Sequence, residues 1–112
     1  MRDPAPPASD RPEDALAAQR ANEAIHGWYL DGVFRGRYPQ LLWDRLVEHG
    51  IAPDVRDGDM EEISVPVDFL GINYYMTYAT EDAPGETGPL GYRELPPDRP
   101  TTDCDWTIEP DA

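Results

Sequence analysis

Lysine is missing from this chain, and all nine basic residues are arginine, set against 23 aspartates and glutamates. The formal net charge is −14. A surface this acidic is repelled by phosphate backbones and anionic lipid heads, so nucleic-acid and membrane-surface roles are set aside. The all-arginine usage points to GC-biased coding and carries no functional meaning. Cysteine is nearly absent too. Cys104 stands alone, so no internal disulfide can form. No apolar run reaches the ~18 residues of a transmembrane helix. Met1 to Asp10 is proline-rich and lacks the apolar core of a signal peptide, so a cytoplasmic location is expected. Asn22 and Asn73 both lack the Asn-x-Ser/Thr context for glycosylation. His26 and His49 have no metal-ligand companions, and no metal or other cofactor is expected.

Proline (13) and glycine (9) are abundant, and most of the excess lies near the two ends, in residues 1–12 and 83–110. A core must therefore come from the middle, roughly residues 13–80. That is a thin supply for an autonomous fold, and it points to a fragment or an obligate partner. Charge is uneven as well: residues 51–112 carry 15 acids and 3 arginines, and so hold most of the negative charge.

Residues 1–9 should be irregular, because proline fixes φ and removes a donor. Asp10 and Glu13 read as a capping-box pair, and Pro12 suits a first helical turn. A helix is expected over residues 11–29, with Ala17, Ala21, Ala24, Ile25, Trp28 and Tyr29 on one apolar face. Asp31-Gly32 should end it. A second helix is expected from Pro39 to about His49, with Leu42, Trp43, Leu46 and Val47 buried and Gly50 as its C′ glycine. His49 complements the dipole at that end. A short helical turn after Asp59 fits the polar stretch 54–62. Asp57, Asp59, Glu61 and Glu62 fail the EF-hand spacing and read as a solvated turn.

Residues 65–75 read as a strand buried on both sides, the kind found in parallel sheets under helix cover. Phe69, Gly71, Asn73 and Tyr75 share one face; Leu70, Ile72 and Tyr74 share the other. The first face turns polar at its C-terminal end, where an α/β barrel strand delivers side chains to an active site. On their own, Asn73-Tyr74-Tyr75 equally describe a strand end with hydrogen-bonded tips. Residues 76–82 continue as extended chain. Residues 83–104 read as a long, mobile loop, and Trp106-Thr107-Ile108 as a short apolar patch. Three regions result: an irregular start (1–9), a helix-helix-strand slice (10–82) and an acidic Pro/Gly-rich loop (83–112).

Four segments resemble the interior of a family 1 glycoside hydrolase of the β-glucosidase type. Ser9-Asp10-Arg11-Pro12-Glu13-Asp14 is similar to the start of a long helix in bacterial members. Trp28-Tyr29-Leu30-Asp31 with Arg35-Gly36-Arg37-Tyr38-Pro39 resembles the W-F-L-D-P…G-x-Y-P stretch. Asp68-Phe69-Leu70-Gly71-Ile72-Asn73-Tyr74-Tyr75 resembles the D-F-[LIV]-G-[LIV]-N-Y-Y strand. Residues 102–110 resemble T-x-x-x-W-x-[IV]-x-P. Gly32 replaces a usual proline, and Cys104-Asp105 a common Met-Gly pair.

The resemblance implies an α/β fold: part of a (β/α)8 barrel around the fifth helix and sixth strand, not a closed barrel. It implies retaining hydrolysis of a β-glycoside substrate by two glutamates roughly 5–5.5 Å apart. Their motifs, T-x-N-E-P and [TI]-x-E-N-G, do not occur in this sequence. No catalytic residue is therefore expected here, and the isolated chain should be inactive. Glu94 and Glu109 sit in loop sequence without the strand-end context of a replacement pair. The resemblance places Asn73 and Tyr75 beside the nucleophile as substrate-binding or nucleophile-supporting groups. Trp106 fits two readings, core packing or the aglycone side of a sugar site. Three accounts follow: a piece of a retaining β-glucosidase, a non-catalytic fragment that complements the missing barrel portions, or a decayed gene remnant.

Overall fold

The computed structural model describes residues 5–73, 75–86 and 88–108. Its helical half is one long run. Helix α1 (Pro12–Asn22) passes through a π-helical turn (Glu23–Gly27) into α2 (Trp28–Arg35). Pro12 sits in the first turn as expected. Asp10 does not cap it: the N-cap is Arg11, without a side-chain bond, and the nearby Ser9 hydroxyl donates to Asp14 instead. The run also continues past Asp31-Gly32. Asp31 pairs with Arg35 one turn on at 3.2 Å, and buried Gly32 lies under Ile63 and Tyr38, where even a Cβ would be in contact. The stop comes at Gly36, whose φ of 61° closes the helix in the left-handed region.

Helix α3 (Gln40–Glu48) begins after Pro39 and ends at His49, with Gly50 at φ 67° just beyond. Its buried side is narrower than the expected stripe: Leu42 is buried, while Val47 is exposed. The α3 N-terminus lacks a cap of its own, and the Glu23 carboxylate, carried by the π-turn, accepts from the Leu42 N–H at 2.7 Å. Tyr38 lies between Trp28 and Trp43, with ring centroids 4.0 and 5.6 Å away and nearly parallel planes. These contacts tie α2 to α3. Tyr29, expected on the same face as Trp28, points outward and is exposed. Short helix α4 (Asp59–Ile63) follows as anticipated.

The core lies on the other side of α1. Strand β1 (Thr80–Asp82) pairs antiparallel with β2 (Tyr92–Glu94), and a 3-10 turn (Gly88–Leu90) lies between them. Ala17 and Ala21 of α1 pack on buried Tyr92, with Ala5 and Leu90 at the margin. A bridge from Pro7 to Thr80 adds a third, N-terminal line of chain. The expected featureless loop over 83–104 is thus corrected, since β2 and the turn lie inside it. The link is polar. Arg20 donates to the carbonyls of Leu90 (2.7 Å) and Gly91 (2.9 Å) and to Asp82 (2.7 Å). Buried Asp14 accepts from the Asp82 N–H at 2.9 Å.

The expected strand over 65–75 is also corrected. Its described residues form no regular element, bend at Asp68 and belong to no sheet. Val65, Val67, Phe69, Leu70, Ile72 and Tyr75 are exposed, Phe69 at 85%. A parallel strand takes its hydrogen bonds from neighbours on both sides, and no described segment stands there. Tyr74, assigned to packing on the other face, and Glu109 and Pro110 of the expected C-terminal segment lie outside the described residues. So do residues 1–4 of the irregular start. The radius of gyration, 15.7 Å, exceeds the ~13 Å of a compact chain of this length. Among the described residues no barrel closes.

Candidate functional site

Asn73 and Tyr75 stand at the end of the 65–75 segment, both exposed. Beyond them the chain is held from a distance. The Thr107 hydroxyl accepts from the Thr77 N–H and donates to the Thr77 carbonyl, each at 3.2 Å. This two-way clip brings residues 101–107 back onto the segment. The returning loop is a tight turn closed by the Thr101–Thr107 bridge. Thr102 organises it: its N–H donates to the Trp106 carbonyl at 2.8 Å, and its hydroxyl accepts from the N–H groups of Cys104 and Trp106. Asp105, at φ 60°, turns the backbone there. Asp tolerates the left-handed region better than most side chains, so the missing glycine leaves a tight turn in place.

The result is an aromatic pair. The rings of Tyr75 and Trp106 lie 5.0 Å apart at 49°, a tilted contact of favourable geometry. Trp106 remains 39% exposed and Tyr75 51%. Neither is a core residue here, and together they form an angled, half-wet aromatic platform two residues along the chain from Asn73. Sequence reasoning named Asn73 and Tyr75 and left Trp106 between two readings. Their meeting depends on the Thr77–Thr107 clip, for which spacing along the chain gives no signal.

The other candidates fall elsewhere. Glu94 stands in the β1–β2 ladder opposite Thr80, a structural place. Glu109 lies outside the described residues. Among the described residues no group of three or more His, Cys, Asp or Glu side chains could hold a metal ion. No helix among them is long and apolar enough to cross a membrane. A cavity of about 140 Å³ lies beyond the platform, lined by Pro6, Ala8, Thr77, Ala79, Leu95 and Thr107 among others, and touches neither Asn73 nor Tyr75. The shifted carboxylate lies apart from the platform. Hydrogen bonds from the Asp82 N–H and from Ser9, with the charge of Arg11, hold Asp14 below the usual carboxylate range.

Comparison with known proteins extends this picture. The chain is 35% identical to an aryl-phospho-beta-D-glucosidase, BglC, of Bacillus subtilis, over 96% of this chain and 27% of the relative. It is 32% identical to beta-glucosidase A of Acetivibrio thermocellus, over 95% of this chain and 24% of the relative. Among solved structures, a beta-glucosidase from Exiguobacterium marinum superposes with a TM-score of 0.84 at 28% identity, covering 99% of this chain and 25% of that one. A family 1 beta-glucosidase from Thermotoga maritima gives 0.82 at 28% identity, covering 98% and 24%. The chain spans about a quarter of the length of the relatives it matches. The model of glycosyl hydrolase family 1 matches residues 1–112, and the chain belongs to that family.

Proposed function

We propose that this chain forms one wall of the active site of a retaining β-glucosidase. The observation that carries the reading is the Tyr75–Trp106 platform, two residues along the chain from Asn73, at the end of the segment that follows the family's D-F-[LIV]-G-[LIV]-N-Y-Y pattern. In the whole enzyme one carboxylate attacks the anomeric carbon and another protonates the leaving oxygen. This chain supplies neither. Its part is electrostatic. The Tyr75 hydroxyl donates to the ionised nucleophile, which keeps that carboxylate's pKa low and fixes its attacking oxygen. Asn73 belongs to the same polar network near the glycone. An aromatic face such as Trp106 offers a sugar or aryl group an apolar surface. The isolated chain accordingly does not turn over a β-glucoside.

The test is a chimera of the Thermotoga maritima family 1 beta-glucosidase carrying these 112 residues in place of its matching quarter. Tyr75→Phe should lower kcat by about 10²–10³, the range for one lost stabilising donor. It should also move the acidic limb of kcat/KM to higher pH, because the nucleophile's pKa rises. An unchanged kcat and pH profile would overturn the assignment, as would turnover of a chromogenic β-glucoside by the isolated chain.

A further inference from the structure

We infer that Thr107 is a positioning residue for the Tyr75 hydroxyl, acting through the ring of Trp106. This rests on the proposed β-glucosidase reading and adds the contact that aims its donor. Residue 107 is an open position in T-x-x-x-W-x-[IV]-x-P, and Thr77 lies beyond the D-F-[LIV]-G-[LIV]-N-Y-Y segment, so the family pattern gives neither a role.

Both threonines are buried, Thr107 at 6% and Thr77 at 7% exposure, while the rings near them in the chain are not. Thr107 directly follows Trp106, and Thr77 stands two residues after Tyr75. Bonds between the two threonines therefore fix the backbone close to both rings. The Thr107 hydroxyl accepts from the Thr77 N–H and donates to the Thr77 carbonyl. A hydroxyl does both at one oxygen; a carboxylate can only accept, and valine does neither. Thr102 engages the N–H and the carbonyl of Trp106. Thr102 thus shapes the turn, and Thr107 sets where that turn meets the segment. Tyr75 is half-exposed, and the Trp106 ring 5.0 Å away narrows the directions in which its hydroxyl can point. Aim matters because a misplacement of about 1 Å can cost on the order of 10²-fold in rate.

The experiment uses the chimera of the Thermotoga maritima enzyme that carries these 112 residues. Thr107→Val should lower kcat by about tenfold. Thr107→Ser keeps the hydroxyl and should restore kcat to within about twofold of the parent. In a Tyr75→Phe background, Thr107→Val should cost less than about twofold more, because the group it aims is gone. Trp106→Leu keeps the clip and removes the ring. It should reproduce the loss in kcat and likewise add little to Tyr75→Phe, and it carries the test if Thr107→Val fails to fold. Arg20→Met destabilises the fold away from the platform and should leave kcat within about twofold. Four results would each overturn the inference while the β-glucosidase reading stands. These are a loss from Tyr75→Phe with none from Thr107→Val or Trp106→Leu, a loss that persists undiminished in the Tyr75→Phe background, no rescue by Thr107→Ser, or an equal loss from Arg20→Met. An unchanged kcat in Tyr75→Phe instead overturns the role given to Tyr75, and the aiming of its hydroxyl falls with it.

Discussion

Arg20→Met removes the charged fork that joins α1 to the β1–β2 hairpin while keeping an unbranched side chain of similar length. Three hydrogen bonds go with it, to Leu90, Gly91 and Asp82. The guanidinium is the donor in all three, and a bond to a charged group contributes about 1.5–3 kcal/mol. The sum, about 4.5–9 kcal/mol, must be reduced by half or more, because the bonds share one side chain, the two charged side chains keep 13% and 20% of their surface in water and water can reach the freed groups. The expected loss is about 2–4 kcal/mol. Thermal unfolding followed by circular dichroism should show Tm falling by about 10–20 °C. A double-mutant cycle with Asp82→Asn isolates the ion pair, whose coupling should be about 1–2 kcal/mol. A loss below about 0.5 kcal/mol with no coupling would refute the claim that Arg20 holds the hairpin on the helix.

Other outcomes follow from the same contacts. Asp14 is held below its ordinary pKa by hydrogen bonds that exist only in the folded chain. The stability it contributes is therefore complete above the unfolded carboxylate pKa and is lost as pH falls through the lower folded value. Asp14→Asn should flatten that acid limb in a series of melts between pH 6 and 2. Thr107→Val removes both bonds of the clip to Thr77 and should cost about 1–2 kcal/mol. It should also separate Trp106 from Tyr75, seen as loss of the ring-current shifts between them.

Much of the helical half was legible in local sequence. The Ala17–Ala21 spacing, Pro12 at a helix start, Pro39 before a second helix and Gly50 after it all report on their own neighbourhood. The misreadings share a cause, which is that the deciding partner lies far along the chain. Gly32 looked like a stop and is instead a point of close packing under Tyr38 and Ile63. The three residues of β2 gave too short a pattern to notice, and they form because Tyr92 finds Ala17 and Ala21. The apolar character of both faces of 65–75 was real, but a strand needs neighbours, and none of the described residues supplies a ladder. Of the platform, Asn73 and Tyr75 could be named from their motif. The approach of Trp106 could not, since a threonine clip across 30 residues leaves no periodic trace.

The π-turn at Glu23–Gly27 takes up one residue more than an ordinary turn, so the helices on either side of it stay in phase. Deleting one residue inside it would let the helix run regularly and leave Trp28 stacked on Tyr38, provided Glu23, which accepts from the Leu42 N–H, is kept. A residue added nearby has no such slack to use and would turn whatever lies beyond it by about 100°, parting Trp28 from Tyr38. This helix should therefore tolerate the loss of one residue in the turn far better than the gain of one.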